Sequence, residues 1–475
     1  MATAGIATSA IQNLAAQTGK RNLVFILIDD HRFDMLGCLG HPFVKSPNLA
    51  RRARGGVLLR NAFVTTSLCS PSRASILTGQ YVHAHGVTDN VSPLPQGLLT
   101  FPQILQKNGY HTALIGKWHM GGDSDAPRPG FDRWVSFRGQ GQYIDPVLNI
   151  DGTQKKTTGY VTDIITEESV KFVRENASRP FMLYMSHKAV HAEFTPAQRH
   201  RKLYSDVRIP YPASMADTEE NYRGRPDWVR RQRNSWHGVD GMYNKTVKFD
   251  DFYRDYCRTL AGVDESVGAL VAELEARGLL DNTLIVFMGD NGFQFGEHGL
   301  IDKRTMYEPS IRVPMIAHCP ALFAGNRQEQ GMALNLDIAP TLLEAAGIPV
   351  PANMHGRSLL PLLKGGARDW RTEFVYEYLW ERDYPQTPTV IGLRTDRYSF
   401  MQYHGVWDLD ELYDLERDPK QMNNLLANVR TTTESGRLLQ RIKDPELKKL
   451  VSGLQDRLYK TLAATGGRRE PSWKQ

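Results

Sequence analysis

The chain has few cysteines and no long apolar segment. Only four cysteines occur among its 475 residues, and the three besides Cys69 lack the spacing of a metal site. A disulfide framework is therefore not expected, and the cysteines leave the cellular compartment open. No apolar run approaches the ~20 residues that cross a bilayer, so no membrane span is expected.

Several other signatures are missing. The sequence contains no internal repeat, no low-complexity tract, no Gly-rich phosphate loop and no nucleic-acid-binding motif, so nucleic acid is not an expected partner. Residues 1–19 are rich in Ala and Thr without a cationic start, which makes them a poor signal peptide. The net charge is only +6, an excess that fits a polyanionic substrate but is shared by many unrelated proteins.

The patterns that are present predict an α/β protein. Asn22–Ile28 is an unbroken apolar run, typical of a parallel strand covered on both faces. Strands are predicted at 22–28, 58–64, 112–115, 181–185 and 283–288, and helices at 48–54, 101–108, 161–175 and 253–277. This alternation predicts a large, mostly parallel sheet sandwiched by helices.

Polar or reactive residues follow five of these predicted strands. They are Asp29 with Asp30, Cys69, Lys117 with His119, His187, and Asp290 with Asn291. The carboxyl ends of the strands in an open α/β sheet face a common crevice. We therefore expect these side chains to meet at one edge of the sheet and to form a ligand site there.

The stretch Cys69-Ser70-Pro71-Ser72-Arg73 combines a reactive group with an anion site. Pro71 suits the first turn of a helix, which would put Cys69 at a helix N-terminus, where backbone N–H groups favour an anion. Arg73 is one turn further on and could bind the same anion with its guanidinium. A lone cysteine in a helix is more often a buried structural residue, and that alternative also fits the stretch on its own.

This stretch, followed by Ala-Ser-Ile-Leu-Thr-Gly, resembles the Cys-x-Pro-Ser-Arg signature of the formylglycine-dependent sulfatases of the alkaline-phosphatase superfamily. Matching motifs extend from residue 22 to about residue 425, and the chain is most similar in appearance to bacterial polysaccharide and glycosaminoglycan sulfatases. The resemblance implies a sulfuric ester hydrolase that releases inorganic sulfate from a sulfated carbohydrate. It also implies that a formylglycine-generating maturation enzyme oxidises Cys69, whose hydrate is the nucleophile, and that the protein is periplasmic or secreted.

The two acidic pairs supply hard oxygen ligands. Asp29, Asp30, Asp290 and Asn291 could each be a turn or cap residue, but two such pairs at the ends of hydrophobic strands favour a metal. By resemblance these four residues and the formylglycine at position 69 hold Ca²⁺. Calcium is expected rather than Mg²⁺ because a carboxylate-rich cage tolerates irregular geometry.

Further roles are implied only by the resemblance. Lys117 would contact sulfate and His119 would tune the hydrate, although spacing alone equally fits a surface lysine and a core histidine. His187 would protonate the leaving oxygen, and Lys303 would be a second sulfate-binding lysine. The catalytic residues expected are Cys69, Arg73, Lys117, His119, His187 and Lys303, and those expected to bind substrate are Arg73, Lys117, His191, His298 and Lys303.

The division of the chain and its substrate are further expectations. Residues 20–367 are predicted to form the catalytic domain, and residues 368–475 a smaller α+β domain with an antiparallel sheet and a terminal helix. An insertion at 206–243 and the C-terminal domain are expected to select the substrate. The arginines of this insertion are expected to form a solvated loop face or, alternatively, to bind a polyanion. Two alternative functions are a phosphonate or phosphate ester hydrolase of the same superfamily and a non-catalytic glycan-binding homologue.

Overall fold

The computed structural model describes residues 20–122, 124–406, 408–429 and 438–468. The strands in these residues are β1 (Asn22–Ile28), β2 (Val57–Leu59), β3 (Ala62–Phe63), β4 (His111–Gly116), β5 (Arg133–Ser136), β6 (Val147–Ile150), β7 (Thr153–Lys156), β8 (Phe181–Ser186), β9 (Thr283–Gly289), β10 (Gln294–Phe295), β11 (Ile301–Asp302), β12 (Met315–His318), β13 (Arg327–Glu329), β14 (Ala333–Leu334), β15 (Glu373–Tyr378), β16 (Thr389–Thr395), β17 (Tyr398–His404) and β18 (Glu411–Asp414). The predicted weak signal peptide at 1–19 lies outside the described residues.

The α-helices in the same ranges are α1 (Pro47–Gly55), α2 (Cys69–Thr78), α3 (Val82–His85), α4 (Phe101–Lys107), α5 (Val161–Glu175), α6 (Glu219–Tyr222), α7 (Asp227–Gln232), α8 (Phe249–Ala276), α9 (Glu308–Ile311), α10 (Ile338–Ala345), α11 (Leu360–Leu363), α12 (Leu438–Arg441) and α13 (Pro445–Ala464). Within these ranges, none has the length and apolar character needed to cross a bilayer.

A ten-stranded sheet organises the protein in the order β13-β2-β12-β9-β1-β8-β4-β5-β6-β7. Its centre, from β9 to β5, is parallel, whereas β12, β6 and β7 run antiparallel to their neighbours. In the register, Ile28 of β1 lies opposite Gly289 of β9. The residues that follow these two strands therefore emerge side by side at the carboxyl edge.

Alternate residues of the central strands pack into two hydrophobic layers, as the pleat requires. Leu23, Phe25 and Leu27 face a core shared with α2, α4 and the C-terminal sheet. Val24, Ile26 and Ile28 face a second core shared with α5 and α8. All seven residues of β1 are buried, because both faces of the sheet are covered.

The predicted fold class is confirmed: a large, mostly parallel sheet lies between helices, and β15–β18 form an antiparallel sheet of four strands. The strand predicted at 58–64 is divided into β2 and β3. Five further strands of the large sheet were not predicted, because each is only three or four residues long and too short to show a period; they are β5, β6, β7, β12 and β13.

The arginines of the 206–243 insertion do not form a single solvated face. Arg225 and Arg233 are buried. Arg225 donates to the hydroxyl of Tyr413 at 2.9 Å and to the backbone carbonyl of Gln421 at 2.6 Å, and it lies 3.7 Å from the carboxylate of Glu411. The expectation of a solvated face is wrong for these two arginines. The partners of Arg225 are far away in the sequence, whereas Arg233 forms an ion pair with Asp240 and donates to the hydroxyl of Tyr222 inside the insertion. The insertion is attached to the C-terminal sheet.

Candidate active site

The centre of the site is a pair of strand ends. Asp29 and Asp30 follow β1, and Asp290 and Asn291 follow β9, and all four side chains are buried. The backbone N–H of Asp30 donates to Oδ1 of Asp290 at 2.9 Å, and Nδ2 of Asn291 donates to Oδ1 of Asp30 at 2.7 Å. The structure thus brings together the two pairs that the sequence predicted.

Cys69 begins the buried helix α2 and faces this cluster. Its Sγ lies 3.4 Å from Oδ1 of Asp29. Burial, together with the neighbouring charge of Asp29, raises the pKa of the thiol well above its usual value. An unmodified Cys69 is therefore held as the neutral thiol, which is a poor nucleophile because reactivity belongs to the thiolate.

The donor set fits a hard divalent cation. Ligand atoms of Asp29, Cys69 and Asp290 lie within 4.8 Å of one another, and Oδ1 of Asn291 is buried without a hydrogen-bond partner in the described residues. Burial raises the pKa of Asp290 to about 7 and that of Asp30 to about 6, and in both cases the carboxylate of Asp29 adds to the rise. Crowded carboxylates and an unpaired amide oxygen are the groups that a Ca²⁺ or Mg²⁺ ion binds, so this is a possible buried metal site.

Three cations surround the carboxylates, and each is almost completely buried. Lys117 forms an ion pair with Asp29. Lys303 donates to both oxygens of Asp30, at 2.6 and 2.7 Å. Arg73 donates through Nε to Oδ2 of Asp290 at 2.9 Å. All three residues were predicted for the site, and the structure places all three there.

His119 and His191 also belong to this group. His119 is buried, and Nδ1 of its ring has no hydrogen-bond partner among the residues described. Burial, reinforced by the charge of Lys117, holds the pKa of both rings well below the usual value, and Lys303 contributes at His191. Both imidazoles are therefore neutral before an anion enters the site.

His187 is not part of this group. It follows Ser186, whose Oγ accepts a hydrogen bond from Arg73 at 2.8 Å. Because successive side chains alternate across the sheet, His187 faces the opposite layer, where its Nε2 lies 3.3 Å from Oγ of Ser266 on α8. Burial alone lowers the pKa of His187 to about 3.

His298 also lies apart from the acidic cluster. Its ring packs against Tyr307 with a centroid distance of 4.5 Å, and its carbonyl accepts a hydrogen bond from Tyr222 at 2.9 Å. It borders a cavity of about 480 Å³. The lining of this cavity includes none of the four acidic and amide residues at the strand ends.

Sequence reasoning missed Gln140, Tyr143 and Lys188. Gln140 accepts a hydrogen bond from Lys117, and Tyr143 donates to the backbone carbonyl of His191 at 2.8 Å. Lys188 is buried beside the ring of Tyr143. Only Lys188 carried a signal, because it lies within the Ser-His-Lys-Ala-Val-His stretch, where an ammonium group is unusual just after a buried strand.

Comparison with known proteins agrees with this geometry. The family model described as Sulfatase matches residues 21–348, and a second one, described as N-sulphoglucosamine sulphohydrolase, C-terminal, matches residues 296–448.

The matches to individual relatives cover most of the chain. It is 32% identical to an N-acetylglucosamine-6-O-sulfatase of Bacteroides thetaiotaomicron, over 90% of this chain and 87% of that protein. It is 30% identical to the human N-acetylglucosamine-6-sulfatase, over 88% of this chain and 83% of that protein. One solved structure is described as a complex with its substrate D-glucosamine-2-N,6-O-disulfate. It has a TM-score of 0.83 and 31% identity, covering 94% of this chain and 98% of that one.

These matches extend over both the central sheet and the C-terminal sheet. The prediction of a carbohydrate sulfatase is confirmed, and the chain belongs to the sulfatase family of sulfuric ester hydrolases.

Proposed function

We propose that this protein removes the 6-O-sulfate from a glucosamine-type residue of a sulfated glycan, such as a glycosaminoglycan fragment. Two relatives that match most of the chain are named N-acetylglucosamine-6-sulfatases, and a third is described with a 6-O-sulfated glucosamine as its substrate. The observation that carries the proposal is the convergence of Cys69, two lysines and the acidic cluster at one buried point.

Two groups complete the site in this proposal. Formylglycine at position 69, made by a dedicated maturation enzyme, supplies a geminal hydroxyl nucleophile, and Ca²⁺ supplies positive charge that offsets the charge of the sulfate oxygens. Asp29, Asp30, Asp290 and Asn291 would hold the ion. The unpaired Oδ1 of Asn291 and the raised pKa values of Asp30 and Asp290 support this assignment.

The remaining residues bind and orient the sulfate. The ammonium groups of Lys117 and Lys303 form ion pairs with Asp29 and Asp30, and each would bind a sulfate oxygen. His119 would hold the nucleophilic hydroxyl through its unpaired Nδ1. Arg73 is engaged with Asp290, Ser186 and the carbonyl of Lys117, so its role is to fix Asp290 rather than to bind substrate.

We assign the proton donor to His191 instead of His187. His191 is half-buried and lies close enough to Lys117, Lys303 and Asp29 for their charges to act on its pKa, whereas His187 faces α8. An arriving sulfate ester brings negative charge, which raises the pKa of a neighbouring imidazole. His191 would then become able to protonate the leaving sugar oxygen.

A sugar ring would find suitable groups next to Lys303. Arg304 forms ion pairs with Asp302 and Glu381, and its guanidinium lies 3.8 Å from the ring centroid of Tyr384. Trp236 precedes His237, whose ring lies 4.6 Å from that of Tyr384, and Trp380 precedes Glu381. The two tryptophans have 44% and 40% of their surfaces exposed. Exposed aromatic faces beside paired charged groups are suited to the apolar face and the hydroxyls of a sugar. We propose that the 206–243 insertion and the C-terminal sheet select the substrate here.

Two broader predictions accompany this function. We propose that residues 20–367 form the catalytic domain and residues 368–475 the smaller one. Export to the periplasm or the cell exterior is proposed from the substrate class, since sulfated polysaccharides are extracellular polymers.

The test is a sulfate-release assay on matched sugars. Released sulfate is measured with N-acetylglucosamine bearing sulfate at position 6 or 3 and with N-acetylgalactosamine bearing it at position 6 or 4. We expect kcat/KM for the glucosamine 6-sulfate to exceed the others by at least about 10²-fold. Preference for the galactosamine sugars would overturn the proposed substrate, and faster hydrolysis of a matched phosphonate ester would favour the alternative activity.

A further inference from the structure

A third lysine lies at the site with no carboxylate partner. Lys188 is the second residue after β8, and only 5% of its surface is exposed. Removing an ammonium group from water costs several kcal/mol unless an anion compensates it. Among the described residues, no carboxylate oxygen lies within 4 Å of Lys188, and its Nζ lies over the ring of Tyr143, 4.6 Å from the centroid.

The other two lysines are different in this respect. Lys117 and Lys303 are equally buried, and each is neutralised by its own aspartate, Asp29 and Asp30. Arg73 is likewise neutralised by Asp290. Three buried carboxylates thus balance three buried cations. Lys188, in contrast, forms no ion pair with a carboxylate of the described structure.

Charges from several elements act on Lys188. The loop that carries Lys188 is joined to the end of β1, because the N–H of Asp29 donates to the carbonyl of Ala189 at 3.0 Å and the N–H of Val190 donates to the carbonyl of Asp29 at 2.8 Å. The charges that act on its ammonium are those of Lys117, Asp29, Asp30 and Cys69. Burial, followed by the charge of Lys117, lowers the pKa of Lys188 to about 8, and His191 lies close enough to be affected by it in turn. The ammonium is therefore still charged at neutral pH, and it lies beside the position where the sulfate ester would bind.

We propose that Lys188 is a third cationic contact to the sulfate group, in addition to Lys117 and Lys303. This inference rests on the proposed function, since it places the sulfate at Cys69. A buried, unpaired ammonium is matched by an anion that enters only with the substrate. Because the ester carries one negative charge and the inorganic sulfate product carries two, the contact strengthens as the sulfate is released.

The first measurement is the affinity for inorganic sulfate. Titration calorimetry of the Ca²⁺-loaded protein with sodium sulfate does not require turnover, so its outcome is independent of the sugar specificity. We expect Lys188→Met to weaken sulfate binding about 10- to 100-fold, as for the loss of a charged hydrogen bond. Lys171→Met is the matched control, because Lys171 is exposed on α5 and its partner is Glu175.

A second measurement separates binding from a structural role. If the ammonium is an uncompensated charge, Lys188→Met should leave the Tm unchanged or raise it, while KM for the sugar sulfate rises. Lys188→Arg should retain most of the sulfate affinity that Lys188→Met loses. The inference is overturned if sulfate affinity is unchanged in Lys188→Met, and a Tm that also falls by several degrees would then show that the role of Lys188 is structural.

Discussion

Arg73 binds Asp290 through two guanidinium nitrogens, with Nε 2.9 Å and Nη2 2.8 Å from the same oxygen, Oδ2. The other oxygen of Asp290 accepts the backbone N–H of Asp30. One buried carboxylate thus joins α2, which carries Cys69, to the ends of β1 and β9. The proposed nucleophile position and the proposed metal ligands are consequently fixed relative to each other by the same contacts.

Loss of Cys69 should abolish turnover without unfolding the protein. We expect Cys69→Ala to lower kcat by more than about 10³-fold, because the proposed nucleophile is formed at this position. Only one small buried side chain is shortened, so the Tm should stay within a few degrees of the wild-type value.

Mass spectrometry of the peptide that contains residue 69 provides the control. Active wild-type protein should carry the aldehyde there, with a mass below that of the cysteine form. An intact thiol in fully active protein would contradict the proposed nucleophile.

The two histidines after β8 should differ in their effect on the leaving group. We expect His191→Ala to lower kcat for a sugar 6-sulfate about 10²- to 10⁴-fold and to have a much smaller effect on 4-nitrophenyl sulfate, whose leaving group needs no proton. His187→Ala should affect both substrates alike and only weakly, because its ring faces Ser266. Kinetics of both variants on both substrates would decide the assignment, and a substrate-dependent loss in His187→Ala would return the role to His187.

Strand periodicity was sufficient to predict the acidic cluster. Asp29 and Asp290 each follow a long apolar strand, and parallel pairing of β1 with β9 places them together. The same alternation also explains why His187 faces α8, since Ser186 before it faces Arg73. The expectation that His187 lies with the acidic cluster used proximity to the strand end and ignored the side of the sheet, whereas its role as proton donor was implied by the resemblance and stays a prediction.

Other parts of the site depend on contacts that a single sequence does not reveal. The position of His191 depends on the loop after β8, where Val190 donates to the carbonyl of Asp29 and Ala189 accepts from its N–H. Arg225 is buried because of Tyr413 and Gln421, which lie almost two hundred residues away. No local pattern encodes such partners, because the pairing arises only when the chain is folded.

Removal of the metal should lower both activity and stability. A chelator is expected to abolish sulfate release, and added Ca²⁺ should restore it better than Mg²⁺ does, because the cluster is rich in carboxylates. An ion that binds only the folded state at 100 times its Kd adds about 2.7 kcal/mol to the free energy of unfolding, so the Tm should fall on chelation. Asn291→Ala should weaken Ca²⁺ binding in a calorimetric titration, and unchanged affinity in that variant would exclude Oδ1 of Asn291 as a ligand.

The attachment of the insertion to the C-terminal sheet should depend on Arg225. Its guanidinium is buried beside Glu411 and Tyr413, so Arg225→Met leaves a buried carboxylate without its cation. We expect a loss of about 3 to 5 kcal/mol in the free energy of unfolding, measured by chemical denaturation. Arg230→Met is the control, because Arg230 pairs with Asp217 and Glu219 at the surface, and it should cost less than about 1 kcal/mol. Equal losses in the free energy of unfolding of the two variants would contradict the proposed role of Arg225 in attaching the insertion.

The stability of the protein should depend on pH through Asp410. Its side chain is buried and accepts the backbone N–H of Tyr403 at 3.1 Å, and burial raises its pKa to about 7. In the unfolded chain the pKa is about 3.9. At a pH between these two pKa values, Asp410 is protonated in the folded protein and ionised in the unfolded chain. The stabilisation that the protonated carboxyl gives the folded protein is therefore complete at low pH and is lost as the pH rises to about 7.

Asp410→Asn removes this titration and keeps an acceptor for the N–H of Tyr403. We expect the variant to be more stable than the wild type at pH 8, by on the order of 3 kcal/mol, with the difference shrinking as the pH falls to 5. Chemical denaturation from pH 5 to 8 in saturating Ca²⁺ measures the slope while the carboxylates of the metal site stay ionised. Asp456→Asn, at an exposed position of α13, is the matched control and should keep the wild-type slope. A wild-type slope in Asp410→Asn as well would mean that Asp410 is already ionised in the folded protein at pH 5.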